Sequence, residues 1–194
     1  MSKFTLYNTA MLLIDHQTGT INWSPSSPKE NIIQNTRALA RTAIATDMPL
    51  ILTSSQEDKA QGPLIKDLEQ IAPEAFEARI KRGGIVNCWD WPEYKNAVLE
   101  TGKKKIIMAG LTNDVCIVFA AISAIKEGYE VQVVVDAGGS PTKLADETSL
   151  RRMENNGVIL TSTNQVMAEL AEDWSTPNGS KIITIMFEEI LSKL

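Results

Sequence analysis

The segment KIIMAGLTNDVCIVFAAISAIKEGYEVQVVVDA, residues 105–137, constrains the fold more than any other part of the chain. Two continuous apolar runs flank an apolar stretch of helical length. Runs without polar alternation suit strands buried on both faces. Joined through a helix, two such strands lie parallel with a right-handed crossover. The same pattern recurs along the chain. AMLLID (10–15), PLILTSS (49–55), FEARIKR (76–82), KIIMAG (105–110), EVQVVVDA (130–137) and GVILT (157–161) read as strands. Helical periodicity fills 31–47, a short piece from Leu64 to Ile71, the segment after Pro92 up to Gly102, 114–128, about 143–156 and about 164–173. The expectation is a three-layer α/β/α fold with a mainly parallel sheet of about six strands. The 194 residues suit one domain, 1–194. It ends in an amphipathic helix at about 180–193, with Ile182, Ile185, Met186, Ile190 and Leu191 on one face for packing or oligomerisation.

Composition narrows the functional classes. The formal net charge is −5, and the densest basic run, KKK at 103–105, reads as a solvated edge before a strand. Nothing there suggests a nucleic-acid partner. No stretch reaches the roughly 18 apolar residues that span a bilayer. The N-terminus lacks a signal-peptide pattern, which implies a cytoplasmic protein. Two cysteines, Cys88 and Cys116, are too few for a disulfide framework. The single histidine, His16, argues against a His-rich zinc site and against any Ser-His or Cys-His pair that does not use it. No metal and no cofactor are expected.

In parallel sheets, ligands gather at the carboxyl ends of the strands. Three predicted strand ends carry capable groups. Asp15 follows four apolar residues, Lys81 and Arg82 precede two glycines, and Cys116 follows GLTNDV. Adjacent strand residues point to opposite faces, so only one of Lys81 and Arg82 enters a shared site. Gly110 ends its strand, and Asn113 or Asp114 suits a helix N-cap. Cys116 then falls in the first helical turn, where free N–H groups and the helix dipole lower a thiol pKa. Alone, Cys116 reads slightly more as packing than as a nucleophile. With an acid and a cation ending other strands it forms a coherent acyl-transfer site. Trp23, Trp89 and Trp91 are candidates for a pocket wall, for packing or for an interface, and Gln17 and Thr112 could supply hydrogen bonds.

AMLLIDHQTG, the basic residue before GGIVNCWDWPEY, and the Cys116 segment up to VVVDA resemble the isochorismatase-like cysteine hydrolases. DHQ, NCWDWPEY and GPL look closer to their YcaC-like branch. The resemblance covers roughly residues 8–175. It implies a catalytic triad of Asp15, a cation and Cys116; the placement before the two glycines favours Arg82, with Lys81 as the other candidate. It also implies a cis non-proline peptide at Thr112–Asn113, and an oxyanion hole from the N–H groups of Asn113 and Cys116 beside Thr112. The Asp/His/His metal site of nicotinamidases has no counterpart here. Siderophore-pathway isochorismatases do not depend on the cysteine, so its presence favours C–N amide chemistry. The expected activity is hydrolysis of a small-molecule amide through a Cys116 thioester. The alternatives are a vinyl-ether hydrolase using Asp15 without the thiol, and a non-enzymatic thiol-responsive binding protein. The resemblance implies a homo-oligomer, with an octamer as one form.

Overall fold

The computed structural model describes residues 3–193. Six strands form one sheet: β1 (Thr9–Ile14), β2 (Leu50–Ser55), β3 (Ile80–Arg82), β4 (Lys105–Gly110), β5 (Glu130–Val134) and β6 (Ile159–Thr161). Their order is β3-β2-β1-β4-β5-β6, and every pairing is parallel. The chain leaves β1 toward β2 on one side and later returns to β4 on the other. The switch point therefore lies between β1 and β4, where such sheets open a crevice.

Eight helices cover the sheet among the described residues: α1 (Lys29–Ala45), α2 (Lys66–Ile71), α3 (Pro73–Glu77), α4 (Pro92–Glu100), α5 (Val118–Lys126), α6 (Lys143–Glu154), α7 (Thr163–Ala171) and α8 (Pro177–Glu189). None is long and apolar enough to cross a membrane. Strand pleating divides the apolar residues between two cores. Met11 and Leu13 of β1 pack with α1, α7 and α8, whereas Leu12 and Ile14 pack with α4 and α5. Because both faces are covered, β1 and β4 are buried at every position, which explains their continuous apolar composition.

Several boundaries differ from the sequence reading. The strand expected over 76–82 is shortened to Ile80–Arg82, because Pro73 starts α3 immediately before it. As the edge strand it shares only the Thr53–Ser55 register with β2. The strand expected to run to residue 137 ends at Val134 and continues as a 3-10 turn, Val135–Ala137. There the Asp136 carboxylate accepts from the backbone N–H and hydroxyl of Thr163, holding the start of α7. α8 begins at Pro177, earlier than residue 180, because Thr176 caps it by accepting from the Gly179 N–H. Its inner face, Ile182, Ile185 and Met186, joins the core with α1. A 3-10 turn, Leu191–Lys193, follows it.

Two glycines bring the strand ends together. A Cβ on Gly110 would lie 2.2 Å from the Ile14 carbonyl oxygen, and one on Gly138 would lie 2.5 Å from the Gly110 oxygen. Only glycine permits such close backbone approach. The carboxyl ends of β1 and β4 and the loop after β5 thus meet at one point.

Candidate active site

The chain turns out of β1 at Asp15, which takes a left-handed conformation (φ 56°) that aspartate tolerates better than most residues. Its N–H still donates to Thr53 of β2, and its side chain is 1% exposed. Arg82 is the last residue of β3. Its Nη2 donates to both Asp15 carboxylate oxygens, its Nε donates to Thr53 Oγ1 at 3.0 Å, and its Nη1 donates to the Ile85 carbonyl at 3.1 Å. The pleat sends Lys81 the other way: its side chain is 61% exposed and lies 3.8 Å from Glu57. Of the two sequence candidates, Arg82 reaches Asp15.

Cys116 enters from β4. The peptide between Leu111 and Thr112 is cis, one residue earlier than the resemblance implied. The next five residues, Asn113–Ile117, form a π-type turn before α5 begins. Neither Asn113 nor Asp114 caps the helix; Thr112 precedes the turn, without a side-chain cap bond. The Cys116 thiol faces the Asp15 carboxylate and the Thr112 backbone N–H.

The expected oxyanion hole is corrected in one member. The N–H of Asn113 donates to the Gly139 carbonyl at 2.9 Å, and its Nδ2 donates to Asp146 at 3.0 Å, so Asn113 braces the turn. The Ser140 hydroxyl donates to the same Asp146 oxygen, tying the loop after β5 to the base of α6. The Thr112 N–H is the donor that faces the sulfur.

Electrostatics also differ from the helix-dipole expectation. Burial, and next the charge of Asp15, push the Cys116 thiol well above its usual range, against the opposing pull of Arg82. Burial likewise raises Asp15, although Arg82 and the thiol counter it. Desolvation of the anion outweighs the helix terminus because nothing but Arg82 and a few N–H groups replaces water. Burial thus disfavours the charged form of both groups, and Arg82 opposes it at both. Beneath them lies a second thiol. Burial raises Cys88 to about 12, and Cys88 contacts Tyr94.

Asp15, Thr112 and Cys116 open into a cavity of about 300 Å³. Trp23 lines it and is 44% exposed. Trp89 does not: it is 2% exposed and packs edge-on against Tyr94 and Tyr129. It occupies the core because the NCWDW turn folds back beneath α5. Trp91 packs at the edge of the same core. Gln17 lines the cavity, but its amide is tied to the backbone of Ser55 and Gly62, so it shapes the loop. Thr20, Gln56 and Gln61 also line the cavity and escaped the sequence reading. They lie in polar loops whose composition carries no sign of what they face.

His16 is fully buried and points elsewhere. Its Nε2 lies 2.9 Å from the Ala137 carbonyl, and burial lowers its pKa to about 4, so the ring is neutral. Among the described residues, no three His, Cys, Asp or Glu side chains cluster as metal ligands. A wider groove of about 640 Å³ runs between α1 and α8. Its arginines, Arg37 and Arg41, are committed to Asp67, Glu188 and Glu189.

The isochorismatase domain family matches residues 9–165. A probable hydrolase, YcaC of Escherichia coli strain K12, is 36% identical over 167 residues, 86% of this chain and 79% of its own. The structure of YcaC from Pseudomonas aeruginosa with hexane-2,5-diol and covalent acrylamide superposes with a TM-score of 0.93 at 33% identity, covering 98% of this chain and 93% of that one. The crystal structure of Escherichia coli YcaC, an octameric hydrolase of unknown specificity, superposes with a TM-score of 0.91 at 31% identity, covering 99% and 93% of the two chains.

Proposed function

The chain belongs to the isochorismatase family, and from that premise we propose that it is a metal-independent cysteine hydrolase of a small amide, with residues 1–194 as one hydrolase domain. The observation that carries the reading is the Asp15 carboxylate held between the Arg82 guanidinium and the Cys116 thiol at the floor of one cavity.

Asp15 takes the thiol proton as Cys116 Sγ attacks the amide carbonyl carbon. The raised basicity of buried Asp15 suits it to this transfer, and Arg82 holds it in place. The Thr112 N–H, with that of Cys116, supports the developing oxyanion. The C–N bond then breaks. The amine leaves with the proton from Asp15, and a Cys116 thioester remains. Asp15 next deprotonates a water that attacks the thioester carbonyl. The acid departs and the proton returns to the thiol. The covalent acrylamide of the Pseudomonas relative supports the presence of a reactive nucleophile in this branch, since acrylamide is a primary amide that thiolates add to.

The octameric relative supports a homo-oligomer here as well. Exposed Ile85 and Leu144 supply apolar surface for it.

The test is hydrolysis of a panel of small amides by Cys116→Ala and Asp15→Asn. Loss of turnover in both supports the triad, and retention in both removes it. Turnover kept by Cys116→Ala but lost in Asp15→Asn points instead to vinyl-ether-type chemistry.

A further inference from the structure

The cavity wall away from the sulfur carries groups that the hydrolytic steps do not use. Thr20 begins the 3-10 turn Thr20–Trp23, is 4% exposed, and its hydroxyl has no hydrogen-bond partner. Buried hydroxyls are nearly always bonded; this one is closed off, but Thr20 lines the cavity, so a rotation of its side chain turns the unpartnered hydroxyl toward what enters. Gln56 and Gln61 line the same cavity. Gln61 Nε2 donates to Gln56 Oε1 at 3.0 Å, which fixes both amides. That bond leaves Gln56 Nε2 to donate and Gln61 Oε1 to accept.

Charge points the same way. No lysine, arginine or histidine is among the described residues lining the cavity. Arg82 is spent on Asp15, Thr53 and Ile85, and Lys81 lies outside beside Glu57. A carboxylate or phosphate on the substrate would face the Asp15 charge without a cation, in a site partly screened from water. Trp23, Val86 and Val115 make the rest of the wall apolar.

Resting on the hydrolase reading above, we infer that the substrate is a small uncharged amide. Its non-reacting part carries a hydrogen-bonding group beside an apolar one. Thr20, with the Gln56–Gln61 pair, is the element that selects it.

Iodoacetamide and iodoacetate test the charge rule, because they share a leaving group and differ in charge. Alkylation of Cys116 in the intact protein is followed by mass spectrometry, each rate divided by that for 2-mercaptoethanol at the same pH. Iodoacetamide is expected to be favoured by about ten-fold after this correction, and Gln61→Lys to bring the two rates together. A wild-type protein that does not favour iodoacetamide, or a preference that Gln61→Lys leaves intact, overturns the uncharged class.

Thr20 is tested by protection of Cys116 from iodoacetamide. Lactamide is expected to protect at a concentration about three-fold lower than propionamide, which lacks its hydroxyl, and Thr20→Val to erase that difference. Equal protection in the wild type, or a difference that survives in Thr20→Val, overturns the role of Thr20. Alkylation needs no turnover, so the two readings fail separately. Loss of hydrolysis in Cys116→Ala without charge selectivity keeps the nucleophile and removes the substrate class. Charge selectivity with hydrolysis retained in Cys116→Ala does the reverse.

Discussion

Arg82 Nη2 donates to both carboxylate oxygens of Asp15, and the two side chains are 0% and 1% exposed. A buried pair of this kind is costly to break, because the partner left behind is an unpaired charge. Arg82→Ala is expected to destabilise the protein by about 3–5 kcal/mol, measured by urea unfolding. Arg82→Lys keeps the charge but cannot reach the carboxylate, Thr53 and the Ile85 carbonyl together, and should lose most activity. Lys81→Ala breaks only an exposed contact with Glu57 and should change stability by less than about 0.5 kcal/mol. Equal effects at the two positions would contradict this assignment.

Burial and, after it, the Asp15 charge raise the Cys116 thiol, so removing that charge should bring the thiol down. Asp15→Asn is expected to increase the rate of Cys116 alkylation at pH 7, since burial still raises the thiol but the Asp15 charge no longer opposes Arg82 and the Thr112 N–H. The same variant should lose hydrolysis for want of a base. A reactive thiol in an inactive enzyme is thus the expected signature. Slower alkylation in Asp15→Asn would show that Asp15 does not bear on the thiol in this way.

His16 couples stability to mildly acidic pH. Its pKa falls from 6.5 to about 4 on folding, so the unfolded chain binds the proton more readily. The neutral-ring contribution is complete above pH 6.5 and is lost as pH falls toward 4. The change across this window is on the order of 3 kcal/mol. Unfolding free energies of the wild type and His16→Gln from pH 7 to 4 test it. The variant should be flatter over that range, and identical slopes would remove His16 as the cause.

Glu189 acts in a lower window. Although the first effect of burial is to raise it, Arg37 and Arg41 hold its carboxyl down at about 2. The folded value lies below the unfolded 4.5, so this stability is present above pH 4.5 and is lost as pH falls toward 2. Glu189→Gln should cost on the order of 2 kcal/mol at pH 7 and nearly nothing at pH 2. Thermal melts at the two pH values distinguish this from a packing defect, which would persist at both.

Much of this architecture is readable along the chain. AMLLI and KIIMAG announce fully buried strands because helices cover both faces, and Asp15 and Cys116 stand out as polar residues where such runs stop. The charged residues of 76–82 carry no clear period, so hydropathy does not mark where this strand begins; α3, started by Pro73 and running to Glu77, does. For Trp89 the pocket wall, packing and an interface stay open in the sequence, because an aromatic in a loop has no pattern to say which way it faces, and the structure selects packing. Thr20, Gln56 and Gln61 were missed for the same reason.

The amino-acid sequence by itself determined the parallel α/β fold and the strand ends that bear the chemistry, because burial periodicity and turn residues are local properties. Only the tertiary structure decided between Lys81 and Arg82, since the choice depends on which face of β3 turns toward β1. It alone committed the Asn113 N–H to Gly139, a contact between segments far apart in the chain. It also reversed the expected direction of the Cys116 thiol. A helix terminus favours the thiolate, but removal from water disfavours it more, and how far a side chain is removed from water is set by everything that packs around it.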